Sequence, residues 1–171
     1  LMGLSNALSG GIVMVALISV LLTVPGIVGT TSIVHDASHE ISDIEESIRN
    51  TDIKLTFLSA SSGSDLVQFT VNNNGDEKLW NFEKFDLIIT YDETSSLLTE
   101  SLSYAGTCSG NPSAGYWCND GITPDIIDPG ILNTNEQMNI KATVANNIVS
   151  GIVITVMSTD NGVSSSTSTT T

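Results

Sequence analysis

The pattern of apolar and charged positions divides the chain into two parts. Residues 1–35 contain no Lys, Arg, Asp or Glu, whereas the rest of the chain carries all 19 acidic and all 5 basic residues. From Ile12 to Val24 a nearly unbroken apolar run covers every side of a helix, and such a helix is buried on all sides. Residues 1–28 are therefore predicted to form a hydrophobic helix of about 40 Å. That length suffices to cross a bilayer core of about 30 Å or to form the core of a helical polymer.

Helix-weakening residues interrupt this segment at two places. Pro25 removes a backbone hydrogen bond and, with Gly26 beside it, predicts a kink near residues 25–30. Near the start, Gly10 and Gly11 either allow neighbouring helices to approach closely or are simply tolerated in apolar surroundings. The sequence does not separate these two interpretations.

A helical period returns after the uncharged segment. Val34, Ile41, Ile44 and Ile48 fall on one face of a helix, and most of the acidic residues fall elsewhere. This spacing predicts an amphipathic helix over residues 34–50, which leads from the apolar segment to a globular head.

From Thr51 onward the hydrophobic period changes from 3.6 to 2. Ile53–Phe57 and Val67–Val71 alternate between apolar and polar residues. The next residues, Asn72–Asp76, contain an Asn-Gly step, which predicts a hairpin or turn leading to Leu79–Trp80. Further runs of this kind are Phe85–Tyr91, Leu97–Tyr104, Met138–Val144 and Ile148–Met157. Seven or so short strands with polar turns predict an antiparallel, immunoglobulin-like β-sandwich.

Together the two patterns predict an α+β chain. Residues 1–50 form the helical region, hydrophobic over 1–28 and amphipathic over 34–50, and residues 51–171 form the β-sandwich head. The C-terminal stretch Gly162–Thr171 consists mostly of Ser and Thr. That composition is typical of a flexible tail, but the β-branched Thr residues also suit an extended terminal strand at a subunit contact. O-linked sugars on this stretch remain an open alternative.

Composition narrows the class of function. The formal net charge of −14 argues against nucleic acid or anionic headgroups as partners, because both would repel the chain. The chain contains no Gly-rich phosphate loop, no GxSxG elbow and no Cys-His pair outside the two cysteines discussed below. We therefore predict that the protein is not an enzyme and needs no cofactor.

Two groups of side chains have the residue types that bind metal ions. His35 and His39 are four residues apart, but no third ligand accompanies them, so a solvated helix face is favoured. An oxygen-rich stretch contains Asn119, Asp120, Asp125 and Asp128. Ca²⁺ takes about six to eight oxygen ligands, and because this stretch lacks EF-hand spacing, a solvated acidic turn is favoured. No metal site is predicted, and whether a cation binds near these aspartates stays open.

Cys108 and Cys118 are the only cysteines of the chain. In an exported protein two cysteines this close predict one disulfide, which closes a short surface loop. The loop-entropy model assigns such a bond about 3 kcal/mol. Tyr116 and Trp117 lie inside the loop, and they either form a contact patch or fold back onto the sandwich. The packed interpretation is favoured.

Three stretches carry a resemblance to a known family: LMGLSNALSGGIVMVALISVLLTVPGIV, VNNNGDEKLW and PGILNTNEQ. A charge-free first helix, an amphipathic continuation and a β-rich domain resemble the archaeal type IV pilin superfamily. That superfamily includes adhesive pilins, archaellins and the pilin-like stator proteins of the archaellum. Bacterial type IV pilins usually have Glu at the fifth position, and Ser5 fits the archaeal branch better. Because the apolar run follows directly on Leu1, we expect that a leader was removed or that the numbering starts inside a precursor.

The resemblance implies a structural subunit of an extracellular pilus-like or archaellum filament. Such a subunit resides in the membrane before assembly and polymerises with copies of itself by burying its N-terminal helix. The residues expected to pack between copies are Leu1, Leu4, Leu8, Ile12, Val13, Val15, Leu17, Ile18, Leu21, Leu22 and Ile27.

Two alternatives stay open. In the first, the helix remains in the membrane and the sandwich binds the surface layer or another envelope protein, as in the stator proteins of the archaellum. In the second, the sandwich is a tethered receptor for solutes or for adhesion. The kink at Pro25 and the lack of flanking Lys or Arg slightly favour the filament over an anchor.

Overall fold

The computed structural model describes residues 11–19, 38–94 and 96–171. Two compact units are present, Leu1–Glu45 and Glu46–Thr171. In the described residues, helix α1 spans residues 11–19 and helix α2 spans residues 38–50. Within the described part of the chain, no helix reaches the length and hydrophobicity that a membrane crossing requires.

The predicted hydrophobic helix is therefore described only over α1. The predicted kink at Pro25 and Gly26 lies outside the described residues. The amphipathic helix predicted over residues 34–50 is present from residue 38 onward. Its stripe of Ile41, Ile44 and Ile48 is exposed.

Eight strands follow the helices. They are β1 Ile53–Ala60, β2 Leu66–Asn73, β3 Asp86–Glu93, β4 Ser96–Thr107, β5 Tyr116–Thr123, β6 Gln137–Thr143, β7 Ile152–Ser158 and β8 Ser164–Thr170. A short 3₁₀ helix, Phe82–Lys84, precedes β3.

The strands form one sheet in the order β1-β2-β6-β5-β4-β3-β7-β8. Neighbours are antiparallel except β4 and β5, which are parallel. The sheet nearly closes, because the amide of Leu55 in edge strand β1 donates to Ser165 Oγ in edge strand β8 at 3.3 Å. The β-rich head is thus confirmed, but the expectation of a purely antiparallel sandwich is corrected to a mixed, nearly closed sheet.

Strand β4 is the reason for the parallel pair. Its first part pairs with β3, from Ser96 to Leu102, and its second part pairs with β5, from Ser103 onward. The register shifts between Tyr104 and Thr107, and Gly106 between them has φ +89°. An irregularity of this kind bends a strand and re-aims its side chains, so one long strand serves both halves of the sheet.

Alternating side chains of these strands fill a continuous apolar core. The largest side chains with essentially no exposed area are Trp117, Tyr91, Phe69, Leu79, Leu87, Ile89, Leu132, Met138, Ile140, Ile148 and Met157. In β3 the alternation is complete from Leu87 to Tyr91, as expected for a strand with one face toward the core. The period-2 segments of the sequence therefore mark true core strands.

Two local predictions left alternatives open, and the structure selects one of each. In the first, the chain turns after β2 without forming a hairpin. Asn72–Asp76 does not make a hairpin to Leu79, because the amides of Asn74 and Gly75 both donate to Asp52 O instead, at 2.8 and 3.1 Å. A Cβ at Gly75 would collide with the backbone of Asn50 and Asp52, so this turn requires glycine to lie against the end of α2.

The second open prediction concerns the Ser/Thr-rich C-terminus. It forms strand β8, which pairs with β7 over its whole length, from Ser158 with Ser164 to Ile152 with Thr170. The extended alternative is thus correct and the flexible one wrong, but the partner strand belongs to the same chain. Strand β5 was also missed, because its Asn and Asp residues suggested a turn.

The end of α2 is held by two loops of the β unit. Asn50 O accepts the amides of Asp76 and Glu77 at 2.8 and 3.0 Å. The Asn161 amide group donates to Thr51 Oγ1 at 2.7 Å and to Ser47 Oγ at 3.1 Å. These hydrogen bonds satisfy carbonyl and hydroxyl groups at the end of α2, so the helix ends at a defined place between the two loops.

Candidate interaction surface

The predicted disulfide is confirmed, and its position differs from a simple loop staple. Cys108 directly follows β4 and Cys118 lies within β5, with a Cα–Cα distance of 5.1 Å. The Cys108 amide also donates to Asn119 O at 2.8 Å. The bond therefore joins the end of β4 to β5, its parallel neighbour. A disulfide agrees with a location outside the cytoplasm.

The aromatic pair inside the disulfide segment divides between core and surface. Trp117 is fully buried and lies against Tyr104, with ring centroids 4.5 Å apart. Tyr116, the neighbouring residue on the opposite face of β5, is exposed. The packed interpretation is therefore correct for Trp117, and the surface interpretation applies to Tyr116.

The carboxylates of the oxygen-rich stretch each have a different partner and do not form one site. Asp120 forms an ion pair with Lys141 at 2.8 Å, and Asp128 forms one with Lys78 at 2.6 Å. Asp125 accepts the amide of Gly130 at 3.1 Å. Across the described residues, no three His, Cys, Asp or Glu side chains are grouped so as to hold a metal ion. Asp120 instead links strands β5 and β6, whereas Asp125 and Asp128 make contacts in the loop that follows β5.

The predicted spacing of the two histidines is described only in part. His39 lies on the exposed surface of α2, whereas His35 lies outside the described residues. Of the residues predicted to pack between copies, those in α1 are Ile12, Val13, Val15, Leu17 and Ile18, and all are more than half exposed. The remaining ones lie outside the described residues.

An exposed apolar surface on the β unit is a feature that the sequence did not reveal. It comprises Trp80, Ile126 and Ile127, which are 65%, 78% and 65% exposed. Single exposed apolar residues are common, but several large ones in one place mark a contact site for another molecule. We call these three residues the apolar surface.

Hydrogen bonds bring the two segments of the apolar surface together. Leu79 and Leu132 form an isolated antiparallel bridge, with N–O distances of 3.1 and 2.8 Å. The Asn133 amide group donates to Ile127 O at 2.6 Å. Since side chains alternate along an extended segment, burial of Leu79 turns Trp80 outward.

A buried asparagine connects this surface with the end of α2. Asn73 Nδ2 donates to Glu77 O at 2.7 Å and to Leu132 O at 3.0 Å. Glu77 in turn donates its amide to Asn50 O. A buried polar group with its bonds satisfied fixes local geometry, so the apolar surface is built on a rigid support close to the last turn of α2.

The segments that support the apolar surface could be identified in part from the sequence. The stretches VNNNGDEKLW and PGILNTNEQ were singled out, and the structure shows that Leu79 of the first pairs with Leu132 of the second. Ile126 and Ile127 gave one signal, since they form an apolar pair between Asp125 and Asp128 in a turn-rich stretch. That they are exposed could be learned only from the structure, because a short apolar pair also suits a buried strand.

The fold and these side chains define a disulfide-bonded β domain with a candidate contact surface. No protein-family model matches this chain, and no curated protein matches it in sequence.

Among solved structures, the chain is similar to the archaellum periplasmic stator protein complex FlaF and FlaG from Sulfolobus acidocaldarius. The identity is 16% and the TM-score 0.49, covering 68% of this chain and 87% of that chain. It is also similar to the archaellum periplasmic stator protein FlaG from the same organism. Here the identity is 15% and the TM-score 0.47, covering 70% of this chain and 99% of that chain. Both of these structures are archaellum-associated proteins, the kind of protein that the sequence resembles.

Proposed function

We propose that this chain is an archaellum-associated envelope protein whose β unit binds a surface-layer or other envelope protein. The observation that carries the proposal is the exposure of Trp80, Ile126 and Ile127 on a hydrogen-bonded support. In this proposal the uncharged N-terminal segment anchors the chain in the membrane, and the β unit works outside the cytoplasm.

A protein partner fits this surface better than a membrane surface does. Tryptophan is enriched at the centres of protein–protein contacts, where it fills a pocket of the partner. Asp125 and Asp128 flank the two isoleucines, and the chain carries a net charge of −14. Anionic headgroups would be repelled by that charge, whereas a protein can offer an apolar pocket with a neutral or basic rim.

The archaellum is the first assembly in which to look for the partner. The stretches VNNNGDEKLW and PGILNTNEQ, which resemble those of archaellum-associated domains, meet at the Leu79–Leu132 bridge beside the apolar surface. The resemblance therefore involves the residues that build this surface.

The test compares two variants of the tagged full chain in detergent-solubilised envelopes. Trp80→Ser with Ile127→Ser removes two of the three side chains of the apolar surface, and Leu97→Ser removes an apolar side chain of similar exposure, 57%, at the start of β4. We expect recovery of a surface-layer or archaellum protein with wild type and Leu97→Ser, and an at least about tenfold loss with the double variant. Equal recovery from all three would remove the proposal.

A second candidate is the filament subunit expected from the sequence. It is favoured by α1, whose apolar side chains are exposed on every side, and by the exposed stripe Ile41, Ile44 and Ile48 on α2. Helices of this kind are stable when they pack between copies or in lipid. Burial of such surfaces at about 25 cal/mol per Å² would favour an open polymer.

Fractionation separates the two candidates. A filament subunit is found in fibres sheared from cells, seen by negative-stain microscopy and identified by mass spectrometry. An anchored envelope protein stays in the membrane pellet. Recovery of the chain in fibres that reassemble after detergent withdrawal would favour the filament, and its absence from every fibre would exclude the filament.

A further inference from the structure

A groove opens beside the irregular part of β4, on a different part of the β unit from the apolar surface. Its volume is about 580 Å³, within the range of sites that take small molecules or single side chains with their flanking backbone. The residues on which its chemistry depends are Glu83, Asp86, Ser101, Ser103 and Tyr104. We call it the β4 groove.

The fold creates this groove at the point where β4 changes partner. The register shift after Tyr104 and the positive φ of Gly106 turn the strand away from β3. The 3₁₀ helix Phe82–Lys84, anchored by buried Phe82, lies beside β4. Glu83 and Asp86, before and at the start of β3, line the same groove.

The aromatic wall of the groove is rigid. Tyr104 lies between the buried ring of Trp117, at a centroid distance of 4.5 Å, and that of Phe82, at 6.2 Å. Burial, and then the negative charge of Glu83, raise the pKa of Tyr104. Among the described residues, the Tyr104 hydroxyl has no hydrogen-bond partner.

The carboxylates of the groove lack cations of their own. In the described part of the chain the ion pairs are Lys78–Asp128 and Lys141–Asp120. Neither Glu83 nor Asp86 therefore has a basic side chain within ion-pair distance. Lys84 lies between them in sequence but is exposed and forms no such pair. Two unpaired carboxylates beside an aromatic ring leave the groove with an unmatched negative charge.

From this arrangement we infer that the β4 groove binds an arginine side chain presented by a partner protein. A guanidinium is planar, donates to carboxylates in pairs and stacks on aromatic rings. Glu83 and Asp86 supply the acceptors, Tyr104 supplies the ring face, and Ser101 and Ser103 can accept from the flanking backbone. This site goes beyond the proposed function, because its chemistry is independent of Trp80, Ile126 and Ile127.

The test uses the full chain in detergent micelles and a short neutral-flanked peptide with one arginine. The matched peptide carries citrulline, which has the same shape without the charge. Ligand-observed NMR titrations at about 0.15 M salt, which screens long-range attraction, measure the dissociation constants. We expect saturable binding of the arginine peptide and at least about tenfold weaker binding of the citrulline peptide.

Matched variants locate the binding. Glu83→Gln with Asp86→Asn removes the groove charges, and Asp65→Asn with Asp160→Asn removes two exposed charges elsewhere. We expect the first pair to weaken arginine binding at least about tenfold and the second pair to leave it unchanged. Circular dichroism confirms that both variants fold.

Three results would overturn the inference. Absence of saturable binding or equal binding of the citrulline peptide excludes guanidinium recognition. Equal weakening by both charge-removing pairs means that the net charge of the chain attracts the peptide without a site. If free argininamide or Ca²⁺ occupies the groove as tightly as the peptide does, the occupant is a small cation and not a partner's side chain.

Discussion

Two places in the sheet are held by different means. The β4–β5 pair is where strands run parallel, and the β1–β8 edges are where the sheet nearly closes. We call these two places the seams. At β4–β5 the strands are parallel, the disulfide Cys108–Cys118 crosses the seam, and Tyr104 lies against buried Trp117. At β1–β8 the described residues form no pairing ladder, and a hydrogen bond joins the Leu55 amide to Ser165 Oγ. One seam is covalent and apolar, and the other is polar.

This difference indicates which strands of the β unit separate first in local unfolding. A covalent bond and a large buried side chain resist local unfolding, whereas a single side-chain hydrogen bond contributes about 1 kcal/mol. The residues of β8 are Ser and Thr, which bury little apolar area. Local opening begins where few apolar contacts hold an element, so we expect β8 to separate before β4 and β5 do.

The largest effect is expected from Trp117→Ala. This change removes the largest buried side chain at the β4–β5 seam, and a cavity of this kind costs about 3–5 kcal/mol. Chemical denaturation followed by circular dichroism measures the free energy of unfolding. The control is Trp80→Ala, which removes an exposed tryptophan and is expected to change stability by less than about 0.5 kcal/mol. Similar losses in both variants would contradict the importance of this seam.

The second prediction concerns the disulfide. Replacing Cys108 and Cys118 by Ser together frees the loop of the unfolded chain and is expected to cost about 3 kcal/mol. Wild type under reducing conditions is expected to lose the same amount, which serves as an independent check. If neither treatment lowers the denaturation midpoint, aromatic packing alone holds the seam.

A third prediction tests whether polar bonds elsewhere in the sheet are as strong as this seam. Tyr91 is fully buried and donates to Glu100 Oε1 at 2.6 Å, and Glu100 Oε2 accepts the amide of Ala145 at 3.0 Å. Burial, followed by the bond to Glu100, raises the pKa of Tyr91 to about 12. The bonds tie strands β3 and β4 to the end of β6.

The raised pKa makes the stability depend on alkaline pH. The ordinary pKa of Tyr is 10.0, so between pH 10 and about 12 the phenol ionises in the unfolded chain before it does so in the folded one. The stabilisation is complete below pH 10 and falls by about 2–3 kcal/mol by pH 12. Tyr91→Phe should lack this component, whereas the exposed control Tyr116→Phe should retain it. Identical alkaline profiles for wild type and Tyr91→Phe would refute the assignment.

The smallest effect is expected at the polar seam. Ser165→Ala removes the bond to the Leu55 amide and is expected to cost about 1 kcal/mol or less. Amide hydrogen exchange should show faster exchange in β8 and at Leu55, with little change at Trp117. The control, Ser166→Ala, alters a neighbouring exposed hydroxyl on the other face. Faster exchange at β5 instead would reverse the order of the two seams.

Sequence reasoning was most accurate where each residue's role depended on near neighbours. The alternation of Ile53–Phe57, Val67–Val71 and Phe85–Tyr91 marked strands that the structure contains. The amphipathic spacing of Ile41, Ile44 and Ile48 marked α2. Periods of 2 and 3.6 come from the backbone itself, so they can be read without knowing the fold.

It was least accurate where a distant residue decided the outcome. The Asn-Gly step near Gly75 suggested a hairpin, but the carbonyl of Asp52 accepts the turn amides. Asn119 and Asp120 suggested an acidic turn, but β4 and β6 flank the segment on either side as sheet neighbours. Turn residues tolerate several conformations, and the available partner selects one of them.

By itself, the sequence determined that an uncharged segment precedes an alternating β region and that one disulfide forms, because periodicity and cysteine number are local or countable properties. Only the tertiary structure decided that β4 pairs with β5 in parallel, that the Ser/Thr stretch becomes β8, and that hydrogen bonds at Leu79, Leu132 and Asn133 join the segments of Trp80 and Ile127. Those arrangements depend on hydrogen bonds between residues far apart in the chain. Such bonds form only after the core has fixed where each strand lies.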